Sequence, residues 1–198
     1  MTYKYGIDFG TTNSSIALRF VGDDKNEHTL VIDVKDTLPR ETMPSVLLVD
    51  RFSSISVGED AINKYTQSGV HNPNQLLIKR IKLDLEKQGN HFKYCVGQKE
   101  YAGVDLIAAI LKALRQKAEI QVDEWDVDVS GVVMGVPVEF GDIQKNVLKQ
   151  ALVKAGFYSD EEEAERKTEF VSEPIAVAVH YGLNLENDTT VLLWRRYA

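Results

Sequence analysis

The first 36 residues contain three short runs of alternating apolar and polar side chains, a pattern typical of β-strands. The runs span Tyr3–Asp8, Ser15–Phe20 and Leu30–Val34, and residues 10–13 (GTTN) lie between the first two. Glycine, threonine and asparagine in that position favour a tight turn. The pattern therefore predicts a meander of three antiparallel strands at the start of the chain.

The second half of the chain alternates between helical and strand patterns. Over residues 103–119, apolar side chains recur every three or four positions, which predicts a helix. Residues 127–138 contain the run VVMGVPV, which suits a strand covered on both faces of a sheet. The remaining predicted elements are a helix over 141–155 with Asp142 as its cap and Ile143 on its apolar face, a strand over 168–171, a helix from Ser172 to Gly182 and a strand over 189–194.

A meander followed by alternating helices and strands predicts an α/β fold with a central mixed sheet and flanking helices. Residues 37–102 interrupt this order, and we predict that they form an inserted small α+β sublobe beside a core of residues 1–36 and 103–198. Within this sublobe we predict short strands at 46–49 and 55–57, helices at 59–66 and from Asn74 through Arg80, and a loop or hairpin over 87–102.

Composition and charge narrow the class of protein. Hydrophobic residues make up 43% of the 198 residues, which is ordinary for a globular chain, and the net charge is −7. The acidic balance disfavours broad binding to nucleic acid or to anionic membranes. The single cysteine excludes an intrachain disulfide, and no secretory signal or membrane-length apolar run is visible. We therefore expect a cytoplasmic protein without nucleic-acid or membrane partners, and we expect the charged run Asp160–Lys167 to be a solvated loop.

The string GIDFGTTNS has the chemistry of a phosphate-binding turn. The first strand delivers Asp8 to its carboxyl end, where ligands of open α/β sheets usually bind. Gly10 lets the backbone approach an anion, and the three residues after it add hydroxyl and amide groups to the backbone N–H donors. A hydrated Mg²⁺ between Asp8 and a phosphate would account for a carboxylate at this position. A plain hairpin with a solvated Asp8 is the alternative.

The same string resembles the first phosphate loop of the DnaK-type 70-kDa heat-shock chaperones, which belong to the actin-like ATPase superfamily. Five further segments resemble this family in the same order: 43–49 (MPSVLLV), 57–61 (VGEDA), 72–80 (NPNQLLIKR), 135–157 (from GVPVEFGDIQ to KAGF) and 172–183 (SEPIAVAVHYGL). The resemblance implies the N-terminal lobe of a nucleotide-binding domain with a ribonuclease-H-like core. It also implies a bacterial chaperone that uses ATP or ADP together with Mg²⁺.

The resemblance assigns roles to individual residues. The implied nucleotide-binding residues are Gly10, Thr11, Thr12 and Asn13. The implied catalytic residues are Asp8, Thr11, Lys79 and Glu173, of which Asp8 and Glu173 would hold the metal through water. The implied allosteric relay consists of Pro137 and Lys145. Three of these side chains have plainer alternatives: a surface lysine for Lys79, compensation of a helix dipole for Glu173 and the end of a strand for Pro137.

The chain also departs from the family pattern. Glu139 stands where the family usually has tyrosine, and Lys145 replaces an arginine, which keeps the charge but loses the bidentate fork. The segment KRIKL at 79–83 lacks the glycine that usually follows Lys-Arg-Leu-Ile in the family. These changes put chaperone-type allostery in question more than nucleotide chemistry.

The second lobe of the family's nucleotide-binding domain, with its adenine contacts and second Gly-rich loop, is missing from this sequence. The tail over 195–198 (RRYA) follows the strand at which that loop would begin. If both arginines are encoded by CGG, a one-base shift that starts in the Trp194 codon would read Gly-Gly-Gly. A frameshift is therefore one explanation, and a deliberate truncation is the other. We expect the chain alone to fold as one lobe, to bind ATP weakly or not detectably and to hydrolyse it poorly, because adenine would contact one wall of its cleft. The face left by the missing lobe would also favour self-association.

Three other functions remain open at this stage. A non-chaperone actin-like ATPase would form filaments, and a sugar or metabolite kinase would place its phosphoacceptor between two lobes. A pure interaction module would keep the nucleotide site only as a vestige. For the leading hypothesis, unfolded peptides and co-chaperones are expected as partners of a full-length protein.

Overall fold

The fold is described from a computed structural model of the chain. It describes residues 2–21, 29–32, 41–68, 72–122 and 128–180. The strands are β1 (Thr2–Phe9), β2 (Asn13–Val21), β3 (Thr29–Val31), β4 (Met43–Pro44), β5 (Leu47–Asp50), β6 (Ile55–Val57), β7 (Gln75–Ile78), β8 (Lys93–Val96), β9 (Lys99–Ala102), β10 (Asp128–Val136) and β11 (Thr168–Ser172). The helices are α1 (Gly58–Ser68), α2 (Ile81–Gln88), α3 (Gly103–Val122), α4 (Asp142–Lys154), α5 (Glu161–Lys167) and α6 (Glu173–His180).

The largest sheet in the described part of the chain is mixed. Its strand order is β11-β10-β1-β2-β3, and β4 pairs with β2 at the start of that strand. The hairpin β1–β2 and the pair β2–β3 are antiparallel, whereas β1, β10 and β11 run parallel to one another. The predicted meander and the predicted α/β class with a mixed sheet are therefore confirmed.

The core lies where this sheet meets α3 and α4. Alternate residues of β1 and β10 point into it, because side chains on a strand change face at every step. The buried strand residues are Tyr5, Ile7, Phe9, Val132, Met134 and Val136. The helix predicted over 103–119 is α3, and all five of its predicted apolar positions are fully buried: Ile107, Ile110, Leu111, Leu114 and Ala118. Among the described residues, no helix combines the length and hydropathy needed to cross a bilayer.

Two smaller sheets form within residues 41–102. The strands β6, β5 and β7 make an antiparallel sheet that packs on α1, and β8 pairs with β9 as a hairpin. The hairpin was one of the two options predicted for residues 87–102. The division into a core and an inserted sublobe at 37–102 stays a prediction, and β4 from this segment pairs with core strand β2.

Several predicted elements were wrong in type or in detail. The helix predicted from Asn74 through Arg80 is instead strand β7, because its two leucines pair with β5, and the helix α2 starts only at Ile81. The charged run at 160–167 forms helix α5, because the Asp160 side chain accepts a hydrogen bond from the N–H of Glu163 and caps it.

Two details of α4 also differ from expectation. Gly141, not Asp142, is the N-cap, and the Gln144 side chain accepts the Gly141 N–H at 3.1 Å. Ile143 is 58% exposed rather than part of the apolar face. The predicted end of α6 at Gly182 and the strand predicted at 189–194 lie outside the described residues.

Candidate functional site

Three parallel strands end at one edge of the mixed sheet. Asp8 of β1 is in register with Gly135 of β10, which is in register with Val171 of β11. Because parallel strands end on the same side, the first residue of α6, Glu173, follows β11 at this edge. Its Cγ passes within 4.0 Å of the point where a Cβ on Gly135 would stand. The fold thus brings the side chains of Asp8 and Glu173 to the same edge.

The turn between β1 and β2 is held by Ser45, which directly follows strand β4. The hydroxyl of Ser45 donates to the carbonyl of Gly10 at 2.8 Å, and its backbone N–H donates to the carbonyl of Thr12 at 2.8 Å. Ser14 and Ser45 are both buried, and their hydroxyl oxygens lie 2.8 Å apart. Since the Ser45 proton goes to Gly10, the Ser14 hydroxyl is the donor in the second bond.

The carbonyls of Gly10 and Thr12, which both accept hydrogen bonds from Ser45, set the orientation of the N–H groups that follow them. In a trans peptide, the C=O and N–H groups of one unit point in opposite directions, and the described chain has no cis peptide. The N–H groups of Thr11 and Asn13 therefore point away from Ser45. Among the turn and loop backbone hydrogen bonds of the described residues, none has a donor in 11–13. The turn thus directs the N–H groups of Thr11 and Asn13 to the side opposite Ser45, an orientation that suits phosphate binding.

The turn requires glycine at position 10, because the backbone of Asn13 lies very close to it. A Cβ on Gly10 would overlap the backbone oxygen of Asn13, which is a fixed group rather than the end of a flexible side chain. The side chains of Thr12 and Asn13 are exposed, and that of Thr11 is half-buried. All four predicted nucleotide-binding residues therefore lie in one accessible turn beside Asp8.

A lysine that the sequence analysis did not single out also lies at this edge. The ammonium of Lys82 contacts Oε1 of Glu173 at 2.5 Å, and its side chain is only 5% exposed. Lys82 occupies the first turn of α2, whose Ile81 and Leu85 are fully buried. The helix is fixed further by Tyr94, whose hydroxyl donates to the carboxylate of Asp84.

The three charges act on one another. Asp8 is exposed at the open edge, yet loss of solvation raises the pKa of its carboxyl group above the usual value. The positive charge of Lys82 lowers this pKa and so opposes the rise, whereas the negative charge of Glu173 raises the pKa further. Two carboxylates beside the turn at 10–13 form a donor set that fits a hydrated Mg²⁺ bound with phosphate, because Mg²⁺ uses one or two carboxylates and keeps several waters. Within the described residues, no cluster of three or more acidic, histidine or cysteine side chains offers a closed metal cage.

The other predicted site residues lie apart from these contacts. Lys79 is exposed in the connection between β7 and α2. Pro137 is buried directly after β10, two residues beyond Gly135, and its carbonyl accepts the N–H of Phe140 at 3.2 Å. Lys145 is half-buried in the first turn of α4. Their predicted roles stay predictions.

Sequence reasoning missed two residues of this site. Ser45 lies in the segment 43–49, where the sequence pattern indicates no site residue, and its contact with Gly10 spans 35 positions. Lys82 was noticed only as part of a departure from the family pattern. A lysine next to apolar residues at 81, 83 and 85 was the available signal, since a lysine inside an apolar stretch needs a buried partner.

Comparison of the amino-acid sequence with known proteins identifies the family of the chain. The family model described as Hsp70 protein matches residues 4–194. The "Chaperone protein DnaK" of Halobacterium salinarum is 31% identical over 189 residues, which is 96% of this chain and 26% of that protein. The protein of the same name from Thermosipho africanus is 30% identical over 182 residues, 92% of this chain and 26% of its own length. The chain spans about a quarter of the length of these curated relatives, and from the match over nearly all of its residues we conclude that it belongs to the Hsp70 family.

Proposed function

We propose that this chain is the first lobe of an Hsp70 nucleotide-binding domain and that it binds the phosphates of ATP and ADP. The observation that carries the proposal is the turn at 10–13, where Ser45 binds the carbonyls of Gly10 and Thr12 and so directs the next N–H groups to the opposite side. N–H donors oriented in this way next to the carboxylates of Asp8 and Glu173 suit a polyphosphate that carries its own divalent cation.

The finer fold assignment is part of the same proposal. We assign a ribonuclease-H-like core to residues 1–36 and 103–198 and an inserted sublobe to 37–102. The sheet order, with an antiparallel meander on one side and two parallel strands on the other, supports this core. The separate small sheets of β5–β7 and β8–β9 support the sublobe.

The residues of the chain have separable tasks in this function. The amides and hydroxyls of residues 11–13 would hold and orient the β- and γ-phosphates. Asp8 and Glu173 would hold a hydrated Mg²⁺, which supplies neutralisation of phosphate charge when it is bound. Lys79, exposed ahead of α2, would extend its ammonium to the γ-phosphate and the attacking water.

Hydrolysis and chaperone activity belong to the whole protein in this proposal. Family membership favours the Hsp70 function over a filament-forming ATPase, a sugar kinase or an interaction module. In a full-length protein, unfolded peptides and co-chaperones would be the partners, and Pro137 with Lys145 would relay the nucleotide state. The 198 residues by themselves would bind nucleotide weakly, because they provide one wall of the cleft.

Equilibrium binding of a fluorescent ADP in MgCl₂ tests the proposal. We expect saturable binding that ATP and ADP displace, with a dissociation constant weaker than roughly 10 µM. Submicromolar affinity would refute the claim that one wall binds weakly, and no saturable binding in the millimolar range would refute the nucleotide site itself.

The role of Ser45 gives a sharper prediction for the same assay. We expect Ser45→Ala to weaken ADP binding by about tenfold, because the Gly10 carbonyl and the Ser14 hydroxyl lose their buried partner at about 1–3 kcal/mol. Ser45→Thr keeps the hydroxyl and should restore most of the binding.

The matched control is Ser56→Ala, which removes another buried serine that bonds to Lys64 at 2.9 Å. This variant should lose a similar amount of stability but keep its affinity for ADP. Equal affinities for the Ser45 and Ser56 variants would show that Ser45 does not orient the turn.

A further inference from the structure

Lys82 is unusual among the buried groups of the molecule. In the described part of the chain the buried polar residues are Ser14, Ser45, Ser56 and Lys82, so Lys82 is the one that carries a charge. A buried ammonium is strongly unfavourable without a partner, because it loses its hydration. Its partner is Glu173, whose side chain is 25% exposed. The pair therefore ties a buried cation to a carboxylate that still reaches the open edge.

The place of this pair matters more than its stability. Glu173 lies at the edge where β1, β10 and β11 end, and the charge of Lys82 also acts on Asp8. With Lys82 in contact, the three charges sum to −1, half of what the two carboxylates alone would offer a cation. An oxygen of Glu173 that already accepts a hydrogen bond from the ammonium is also a weaker acceptor for the water molecules that surround a metal ion.

We propose that Lys82 is a tethered cation that engages Glu173 and competes with a hydrated divalent metal ion for that carboxylate. This inference rests on the proposed function, in which Glu173 faces the nucleotide-bound metal. The backbone of Lys82 is fixed beside the site whether or not a ligand is bound. Its helix α2 is held by the buried Ile81 and Leu85, and Tyr94 donates a hydrogen bond to Asp84 on the same helix. A metal ion that binds at Glu173 must therefore displace the ammonium of Lys82 from the carboxylate or share the carboxylate with it. In either case the apparent affinity of the site for the metal is lowered.

The test uses magnesium alone, without nucleotide, and follows the thermal unfolding midpoint of the 198-residue chain. A ligand that binds only the folded state raises this midpoint with concentration. We expect Lys82→Met, which keeps the length of the side chain and removes the charge, to lower the half-saturating magnesium concentration by about fivefold or more, the lower end of couplings between linked ligands. Ionic strength is held constant with NaCl in every sample.

Two variants make the comparison specific. Lys87→Met removes an exposed lysine from the same helix and should leave the magnesium response unchanged. Lys82→Met combined with Glu173→Gln should lose the gain, because the released carboxylate is gone. Equal responses of the wild-type chain and Lys82→Met, including no response in either, would overturn the proposal.

A second measurement keeps the proposal testable if Lys82→Met does not fold. In the otherwise unchanged chain, Lys82→Gln also removes the charge but keeps a side chain that can donate to Glu173, and it should likewise lower the half-saturating magnesium concentration. A magnesium response of Lys82→Gln equal to that of the wild-type chain would contradict the competition. Binding of ADP in MgCl₂ by the wild-type chain, measured separately, decides the proposed nucleotide function, so the failure of one claim is distinguishable from the failure of the other.

Discussion

Replacement of Gly10 by alanine is expected to weaken ADP binding by about tenfold or more, since backbone distortion of about 1–3 kcal/mol is needed to fit the new methyl group. The Cβ would overlap the backbone oxygen of Asn13, so the turn has to open to make room. Opening the turn also pulls the Gly10 carbonyl from the Ser45 hydroxyl, now 2.8 Å away. Titration with a fluorescent ADP measures the loss directly.

Gly6→Ala is the matched control for this variant. Gly6 lies in the same hairpin, and a Cβ at that position would meet nothing within 4 Å. We expect this variant to bind ADP as the wild-type chain does. Full binding by Gly10→Ala, or equal losses in the two variants, would show that the geometry of the turn does not govern nucleotide affinity.

Replacement of Leu111 by alanine is expected to lower stability by about 2–5 kcal/mol, the usual range for a leucine deleted from a packed core. Leu111 is fully buried in α3, where the helix packs on the mixed sheet and on α4. For a chain of this size the unfolding midpoint should fall by roughly 4–20 °C, at about 2–4 °C for each kcal/mol. Thermal unfolding followed by circular dichroism provides the measurement.

The exposed end of the same helix supplies the control. Ile120 is 72% exposed, so Ile120→Ala removes a similar side chain without opening a cavity. We expect a change within about 0.5 kcal/mol for this variant. A midpoint for Leu111→Ala that matches that of Ile120→Ala would mean that α3 does not pack into a single core in the isolated chain.

The features of the site that follow from strand ends were predictable from the sequence. Asp8 closes an apolar strand and Glu173 follows another, and parallel strands deliver their carboxyl ends to one edge. Gly10 was predictable as well, because a hairpin turn that exposes its amides leaves little room for a side chain. These inferences need only the direction of the strands and the local chemistry of a turn.

The partners of these residues were not predictable, because they come from distant parts of the chain. The pair of Lys82 and Glu173 spans 91 positions, and no periodicity links two single charges across such a distance. The strand β7 was mistaken for a helix because a short apolar run fits both structures, and only its pairing with β5 decides between them. In both cases tertiary contacts, rather than local preference, settle the outcome.

The central claim is that the turn over residues 10–13 binds the phosphates of a nucleotide, and amide chemical shifts of the isotope-labelled chain test it most directly. Titration with ADP in MgCl₂ suits weak binding, since each shift follows the fraction bound at its own position. The account predicts saturable shifts that are largest at residues 10–13 and at Glu173, and small on the β5–β7 sheet. Saturable shifts centred on that small sheet, with the turn unchanged, would contradict it.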